Sequence, residues 1–181
     1  MDWPLSANYF ELFGLAQSFA IDRARLDNAY RALQNRLHPD RFANASEAEC
    51  VRSTQASSHI NAAYAALCDP LSRARHLLEL AGANVATDTA AAIPSAFLME
   101  QMQWREAMEE AHRGSDGAAL RCLSRRLQQE TSVCEMEFTR LLEHVRDLDG
   151  AANCLRKLAF YASLRRDLKG MIEALEDTRA F

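Results

Sequence analysis

Pro39 constrains the fold of this chain more than any other residue, because it stands between two segments whose sequences predict long helices. Proline cannot donate a backbone hydrogen bond, and its ring disfavours the α conformation at the preceding residue, His38. The upstream helix is therefore predicted to end near Leu37. The tripeptide His38-Pro39-Asp40 is predicted to form an exposed turn that joins two antiparallel helices.

The segment before this turn has the spacing of an amphipathic helix. Asp22 is a candidate N-cap. Apolar residues then follow at intervals of four, three and four, namely Leu26, Tyr30, Leu33 and Leu37. From Asp22 to Arg41 there are five Arg and three Asp, a net charge of +2 in a chain whose total is -4. This basic face is either an ordinary solvated surface or a site of electrostatic attraction to an acidic partner.

The segment after the turn predicts a second long helix and a shorter third one. Ser46 and Glu49 have the spacing of a capping box. The apolar stripe that follows consists of Ile60, Ala63, Tyr64 and Leu67. Asp69 and Pro70 then supply an N-cap and a first-turn proline for a helix that Gly82 ends.

A change of pattern after residue 81 predicts a domain boundary. Residues 82–94 lack a periodic apolar face over most of their length and are interpreted as a linker. Three further helices are predicted beyond it, separated by Gly114, Gly117 and Gly150, at about Ser95 to Arg113, Asp116 to Arg146 and Ala151 to Asp177. The middle helix has a coiled-coil-like seam of Leu120, Leu123, Leu127, Cys134, Phe138, Leu141 and Val145. Three such helices predict a small antiparallel bundle.

Composition supports an all-α fold and excludes several function classes. Only 6 Gly and 4 Pro occur in 181 residues, of which 49% are hydrophobic. A pI of about 5.7 argues against broad nucleic-acid binding. The chain has neither an uninterrupted apolar run of membrane-spanning length nor a secretory leader pattern, so we expect a cytoplasmic protein with no membrane contact.

Cysteine and motif patterns give little support for metal binding or catalysis. The five cysteines are scattered without the close pairs of metal sites, so we expect reduced, mostly buried thiols and no cofactor. They are Cys50, Cys68, Cys122, Cys134 and Cys154. Neither a glycine-rich phosphate loop nor a nucleophile elbow is visible. A metal or redox protein using five Cys and five His remains the alternative from another class.

Two helices of the predicted bundle place apolar residues away from their buried seams. In the helix from Ser95 to Arg113 the seam consists of Phe97, Gln101, Trp104, Met108 and Ala111. Leu98, Met99 and Met102 fall about 100 to 160° away from it at 100° per residue. In the last helix the predicted inward line consists of Leu158, Tyr161, Arg165, Leu168 and Ile172. Phe160 lies roughly 110° from the centre of that line, so all four side chains are predicted to form an exposed patch for a partner.

The pattern around the His38-Pro39-Asp40 turn resembles the J domain of DnaJ-type co-chaperones. It is preceded by Tyr9-Phe10-x-x-Phe13-Gly14-Leu15 and flanked by Tyr30-Arg31-x-Leu33. After the turn comes Ile60-Asn61-x-Ala63-Tyr64-x-x-Leu67-x-Asp69-Pro70. Asn8 stands where that family often has Asp, a departure that bears on helix capping.

The rest of the chain narrows the resemblance to the HscB family, the J-domain co-chaperones of iron-sulfur cluster assembly, in its bacterial form. The matching segments are Asp69-Pro70-Leu71-Ser72-Arg73-Ala74-x-x-Leu77-Leu78, Ala96-Phe97-Leu98-Met99-Glu100-Gln101-x-x-x-Arg105-Glu106 and Arg156-Lys157-Leu158-x-Phe160. The resemblance implies an L-shaped, all-α protein. Its parts are a J domain (1–81), a linker (82–94) and a three-helix bundle that binds a client scaffold (95–181).

The resemblance also implies a function without enzymatic activity. Members of the family bind the scaffold protein IscU, deliver it to the DnaK-type chaperone HscA and stimulate that chaperone's ATPase. The residues expected to contact the chaperone are His38, Pro39, Asp40, Arg31, Arg36 and Arg41. The residues expected to contact the scaffold are Leu98, Met99, Met102, Arg105, Glu106 and Phe160. Gln103 replaces an acidic residue often found at the rim of that site. The alternative that the protein is a J-domain adaptor for another client stays open.

Overall fold

The computed structural model describes residues 7–37, 46–83 and 94–179. Within these ranges every regular element is a helix, which confirms the all-α prediction. The chain divides into two compact units, Met1–Gly82 and Ala83–Phe181. Most of the predicted linker, residues 84–93, lies outside the described residues. In the part of the chain that is described, none of the helices combines the length and apolar character needed to cross a membrane.

In residues 7–37 and 46–83 the first unit has four helices, whose starts follow the predicted capping residues. They are α1 (Tyr9–Leu12), α2 (Arg23–Leu37), α3 (Glu47–Cys68) and α4 (Pro70–Leu80). Asn8 caps α1 by accepting hydrogen bonds from two backbone amides, so the Asp-to-Asn departure keeps the cap. Asp22 caps α2 in the same way, by accepting from the Arg25 amide at 3.1 Å. Asp69 accepts from both the backbone and the hydroxyl of Ser72 at the start of α4.

Side-chain pairs show that α2 and α3 run antiparallel. Near the start of α2, Asp27 accepts a hydrogen bond from the Tyr64 hydroxyl at 2.8 Å. Seven residues later Gln34 donates to Asn61, which lies earlier in α3. Between these pairs the rings of Tyr30 and Tyr64 stack with their centroids 4.0 Å apart. The core beneath this hairpin includes Phe10, Phe13, Phe19, Leu26, Leu37, Ile60, Leu67, Leu77 and Leu78.

The described part of the second unit, residues 94–179, has three long helices with one irregular segment. They are α5 (Ser95–Arg113), α6 (Gly117–Thr139) and α7 (Leu148–Arg179), with a π-helical segment (Arg140–Val145) after α6. The large buried side chains of the unit include Phe97, Trp104, Met108, Leu120, Leu127, Phe138, Leu155, Tyr161 and Leu168. Contacts between α6 and α7 are the most extensive in the unit, and α5 packs on both.

The seam predicted for the middle helix is wrong at its end. Leu120, Leu127 and Leu141 are buried, but Val145 is exposed. The prediction assumed one α-helix from Asp116 to Arg146, whereas the structure is π-helical from Arg140 onward. In a π-helix each residue turns the chain by a smaller angle than in an α-helix, so the later residues of this segment fall behind the line set by Leu127 and Phe138, and Val145 no longer lies on it.

The predicted start of α7 after Gly150 is also wrong. Gly150 lies inside the first turn of α7, which begins at Leu148 and not at Ala151. The chain reverses at Arg146, whose backbone is left-handed with φ of 60°. Asp147 then caps α7 by accepting the Gly150 amide at 2.9 Å.

The inward line predicted for the last helix needs one correction. Leu158, Tyr161 and Leu168 are buried as expected, but Arg165 is exposed and the adjacent Leu164 is buried. Because α5 packs against this flank of α7, the buried stripe is wider than a seam with α6 alone. Leu164 lies at its edge, about 40° from Phe160 at 100° per residue.

Candidate partner-binding surfaces

One side of α5 is buried and the other exposes large apolar side chains. Phe97, Trp104 and Met108 are at most 6% exposed. Leu98 is 45% exposed, Met99 62% and Met102 70%. These values confirm that the three residues point away from the core. A helix with apolar residues on its solvent side is a candidate protein-binding surface, and methionine suits one because its side chain adapts to a partner's shape.

Phe160 lies on α7 beside this helix, and it is half-buried rather than a plain surface aromatic. Its ring meets the buried ring of Phe97 edge to face, with centroids 5.6 Å apart and an interplanar angle of 89°. The sequence pattern places Phe160 off the core line but gives no sign of this contact. We refer to Leu98, Met99, Met102 and Phe160 as the apolar patch.

Polar residues accompany the apolar patch on α5. Gln103, Arg105 and Glu106 are all exposed on this helix. Arg105 and Glu106 follow Met102 within about one helical turn, so a partner seated on the patch comes within reach of both charges. Their role as the polar rim of a binding site stays a prediction.

A polar cluster between α5 and α7 was missed at the sequence level. Glu100 accepts a hydrogen bond from the Tyr161 hydroxyl at 2.5 Å and pairs with the Lys157 ammonium at 3.3 Å. That ammonium also lies 5.4 Å from the centroid of the Phe97 ring, within cation–π range. Burial of Tyr161, assisted by its hydrogen bond to the Glu100 carboxylate, raises the pKa of the phenol.

A partial signal for this cluster exists in the sequence. Glu100 lies only about 60° from the centre of the buried line of α5 at 100° per residue, an unusual place for an unpaired acid. The residues that meet it could not be identified, because the register between α5 and α7 is a property of tertiary packing. Only the structure brings Lys157 and Tyr161 to it.

The structure describes two of the six predicted chaperone-binding residues. His38, Pro39, Asp40 and Arg41 lie outside the described residues. Arg31 and Arg36 are exposed on α2.

One arginine of the basic helix is engaged within its own unit. Arg23 donates to Asp27 at 2.8 Å and to the Tyr64 hydroxyl at 3.0 Å. These hydrogen bonds from Arg23 and Tyr64 lower the pKa of Asp27. Arg23 therefore helps to hold the α2–α3 hairpin together, and it is not assigned a partner contact.

All five cysteines lie in the described part of the chain and none of them forms a disulfide, but the expectation that they are mostly buried is wrong for two of them. Cys134 and Cys154 are buried, Cys68 is half-buried, and Cys50 and Cys122 are exposed. The Cys134 thiol donates to the backbone carbonyl of Cys154 at 3.5 Å. Among residues 7–37, 46–83 and 94–179, no three His, Cys, Asp or Glu side chains come together as a metal site.

The antiparallel α2–α3 hairpin with α1 and α4, followed by a separate helical unit with an exposed apolar patch, defines a J-domain co-chaperone with a C-terminal helical domain. Similarity to known proteins agrees with this class. The family model described as the HSCB C-terminal oligomerisation domain matches residues 93–169. A co-chaperone protein HscB homolog from Azoarcus sp. (strain BH72) is 40% identical over 173 residues, which cover 96% of this chain and 98% of the relative. The chain belongs to the HscB family of co-chaperones.

Solved structures show the same relationship. Chaperone HscB from Vibrio cholerae superposes with a TM-score of 0.81 at 36% identity, covering 93% of this chain and 99% of that one. Human co-chaperone protein HscB superposes with a TM-score of 0.83 at 29% identity, covering 91% of this chain and 81% of that one.

Proposed function

We propose that this protein binds the iron-sulfur scaffold protein IscU, delivers it to the DnaK-type chaperone HscA and stimulates the ATPase of that chaperone. Membership of the HscB family supports this proposal. The observation that carries it is the exposure of Leu98, Met99 and Met102 on a helix whose other side is already buried. In this proposal the protein has no catalytic residue or cofactor of its own, and it acts in the cytoplasm during maturation of iron-sulfur proteins.

The second unit is proposed to hold the scaffold through the apolar patch. Burying exposed apolar side chains against a partner is favourable by about 25 cal/mol per Å² removed from water. Residues at the centre of such a surface contribute most, and the surrounding polar residues fix orientation. Leu98, Met102 and Phe160 are assigned the central role, with Arg105 and Glu106 at the rim.

The first unit is proposed to act on the chaperone. His38, Pro39 and Asp40 are assigned the role of stimulating ATP hydrolysis, an assignment that rests on the resemblance. Arg31, Arg36 and Arg41 are assigned contacts to an acidic surface of the chaperone. Such contacts steer association and weaken as salt concentration rises.

The proposal is tested at the scaffold surface by truncating the apolar patch. We expect Leu98→Ala, Met102→Ala and Phe160→Ala combined to raise the Kd for IscU about tenfold or more, because central contacts are lost. The measurement is isothermal titration of IscU into the full-length protein, with circular dichroism to establish that each variant is folded.

A matched control truncates apolar residues elsewhere on the same unit. Val133 and Met136 on α6 are 57% and 65% exposed and lie outside the apolar patch. The double variant Val133→Ala, Met136→Ala is expected to bind IscU like the unmodified protein. Unchanged affinity in the folded patch variant, or equal loss in the control, would contradict the assignment of the patch.

A further inference from the structure

We propose that Glu100 is a positioning residue for scaffold binding, which fixes the rotation of α5 against α7 and so the geometry of the apolar patch. This inference rests on the proposed function, because it concerns the same surface. Glu100 is half-buried, and Tyr161 and Lys157 hold its carboxylate. Its action on the scaffold is therefore through the orientation of neighbouring side chains.

The start of α5 lacks the usual capping interactions, so contacts with α7 are needed to hold it in place. Its N-cap residue is Pro94, whose carbonyl accepts the Phe97 and Leu98 amides at 2.8 and 3.2 Å. Within the described residues, no side chain caps this end of the helix, and its first turn contains no acidic residue. Helix ends without these features fray more readily, and the patch residues Leu98 and Met99 lie at this end.

Glu100 fastens this end of the helix to α7 at two points. The Tyr161 hydroxyl bonds one carboxylate oxygen at 2.5 Å, and the Lys157 ammonium lies 3.3 Å from the other. Tyr161 is almost fully buried, so the first bond is anchored in the core. Hydrogen bonds to a charged group are stronger than neutral ones, and two donors on α7 bind the two carboxylate oxygens of Glu100, so these contacts restrict the rotation of α5.

The contacts of Glu100 with α7 lie next to the residues of the apolar patch. Leu98 lies two residues before Glu100 and Met102 two residues after it, so any rotation of α5 that breaks these bonds displaces both. Phe97 contacts Phe160 edge to face and lies beneath the Lys157 ammonium. The contacts of Glu100 with Tyr161 and Lys157 therefore hold the α5 residues of the patch and Phe160 of α7 in one relative orientation. Binding is tighter when that orientation exists before the partner arrives.

The test compares scaffold affinity with stability in single and double variants of the full-length protein. Glu100→Ala is expected to raise the Kd for IscU about fivefold, since both anchors of the carboxylate are lost. Tyr161→Phe, which removes one hydroxyl and little volume, is expected to raise it about threefold. The double variant is expected to bind no more weakly than Glu100→Ala, because both changes break the same bond. Glu100→Gln keeps an acceptor for Tyr161 and is expected to recover part of the affinity.

Glu109→Ala serves as the matched control, because Glu109 is an exposed acid on the same helix. It is expected to leave the Kd unchanged. The inference is overturned if the folded Glu100→Ala and Tyr161→Phe proteins bind IscU as tightly as the unmodified protein, even with a lower Tm. Failure of the unmodified protein to bind IscU would instead refute the proposed function itself. If Glu100→Ala does not fold, the mild Tyr161→Phe and Glu100→Gln variants test the inference by the same comparison of Kd values.

Discussion

At the scale of single residues, the carboxylate of Asp40 is the group on which the proposed chaperone contact most depends. Asp40→Asn keeps the size of the side chain and removes its charge. We expect this variant to lose stimulation of the HscA ATPase while its circular dichroism spectrum and Tm stay unchanged. The measurement is steady-state ATP hydrolysis by HscA with the variant added in place of the unmodified protein.

The control for this substitution is Asp167→Asn, since Asp167 is exposed on α7 in the other unit. It makes the same chemical change and is expected to leave stimulation intact. Full stimulation by Asp40→Asn would remove the tripeptide from the proposed mechanism.

His76 is a second residue whose chemistry has a measurable consequence. Its ring stacks on Tyr9 with centroids 4.2 Å apart, and its Nε2 accepts the Tyr9 amide at 3.4 Å. Burial lowers the pKa of His76 below its ordinary value of 6.5, and Glu79 opposes the shift only in part. The folded protein therefore binds a proton at this site less tightly than the unfolded chain does.

The sign of this shift predicts how stability depends on pH. The contribution of neutral His76 is complete above pH 6.5 and is lost as pH falls below that value through the lower pKa of the folded state. Urea unfolding at a series of pH values is expected to show a steeper loss below that point for the unmodified protein than for His76→Gln. Glutamine supplies an acceptor for the Tyr9 amide but does not titrate, so parallel pH profiles would contradict the prediction.

At the scale of helices, replacing either of two glycines of α7 by alanine is expected to change the stability of the protein, in opposite directions for the two positions. A Cβ at Gly150 would lie 2.4 Å from the Asp147 carboxylate that caps the helix, whereas a Cβ at Gly170 meets nothing within 4 Å. Gly150→Ala is expected to destabilise the protein by about 1 kcal/mol through loss of the cap. Gly170→Ala is expected to stabilise it by about 0.5 to 1 kcal/mol, because alanine is the better helix former.

The two glycine variants serve as controls for each other in the same urea titration. Both replace a glycine of one helix by the same residue, so they differ only in surroundings. A shift of both midpoints in the same direction would contradict the prediction that the loss of the Asp147 cap outweighs the higher helix propensity of alanine at position 150.

Local sequence signals predicted most helix starts, because capping is a short-range interaction. Asp22, Ser46 with Glu49, and Asp69 each meet a partner within three residues of themselves. The π-helical segment from Arg140 to Val145 has no comparable signal. Extending an α-helical period through it led to the wrong placement of Val145.

The candidate site was predictable to the extent that it follows from helix geometry. A single helix has a fixed angular order, so the exposure of Leu98, Met99 and Met102 followed from their spacing relative to Phe97 and Trp104. The half-burial of Phe160 and the pairing of Glu100 with Tyr161 required the packing of α5 on α7. No local pattern encodes that register.

At the scale of the whole molecule, each compact unit has one task in the proposed mechanism. The first unit is proposed to act on HscA through the His38-Pro39-Asp40 turn and the basic residues around it. The second is proposed to hold IscU on the apolar patch, with Glu100 fixing the geometry of that patch. Because both sites are on one chain, binding the two partners together raises their effective concentration for each other.

The most direct test of this bridging role is the steady-state ATPase rate of HscA, measured with this protein alone, with IscU alone and with both. We predict that the two together stimulate hydrolysis by more than the sum of their separate effects. We also predict that the combined Leu98→Ala, Met102→Ala and Phe160→Ala variant loses this excess and retains the stimulation seen without IscU. Rates with both proteins that equal the sum of the separate effects would contradict the claim that this protein bridges scaffold and chaperone.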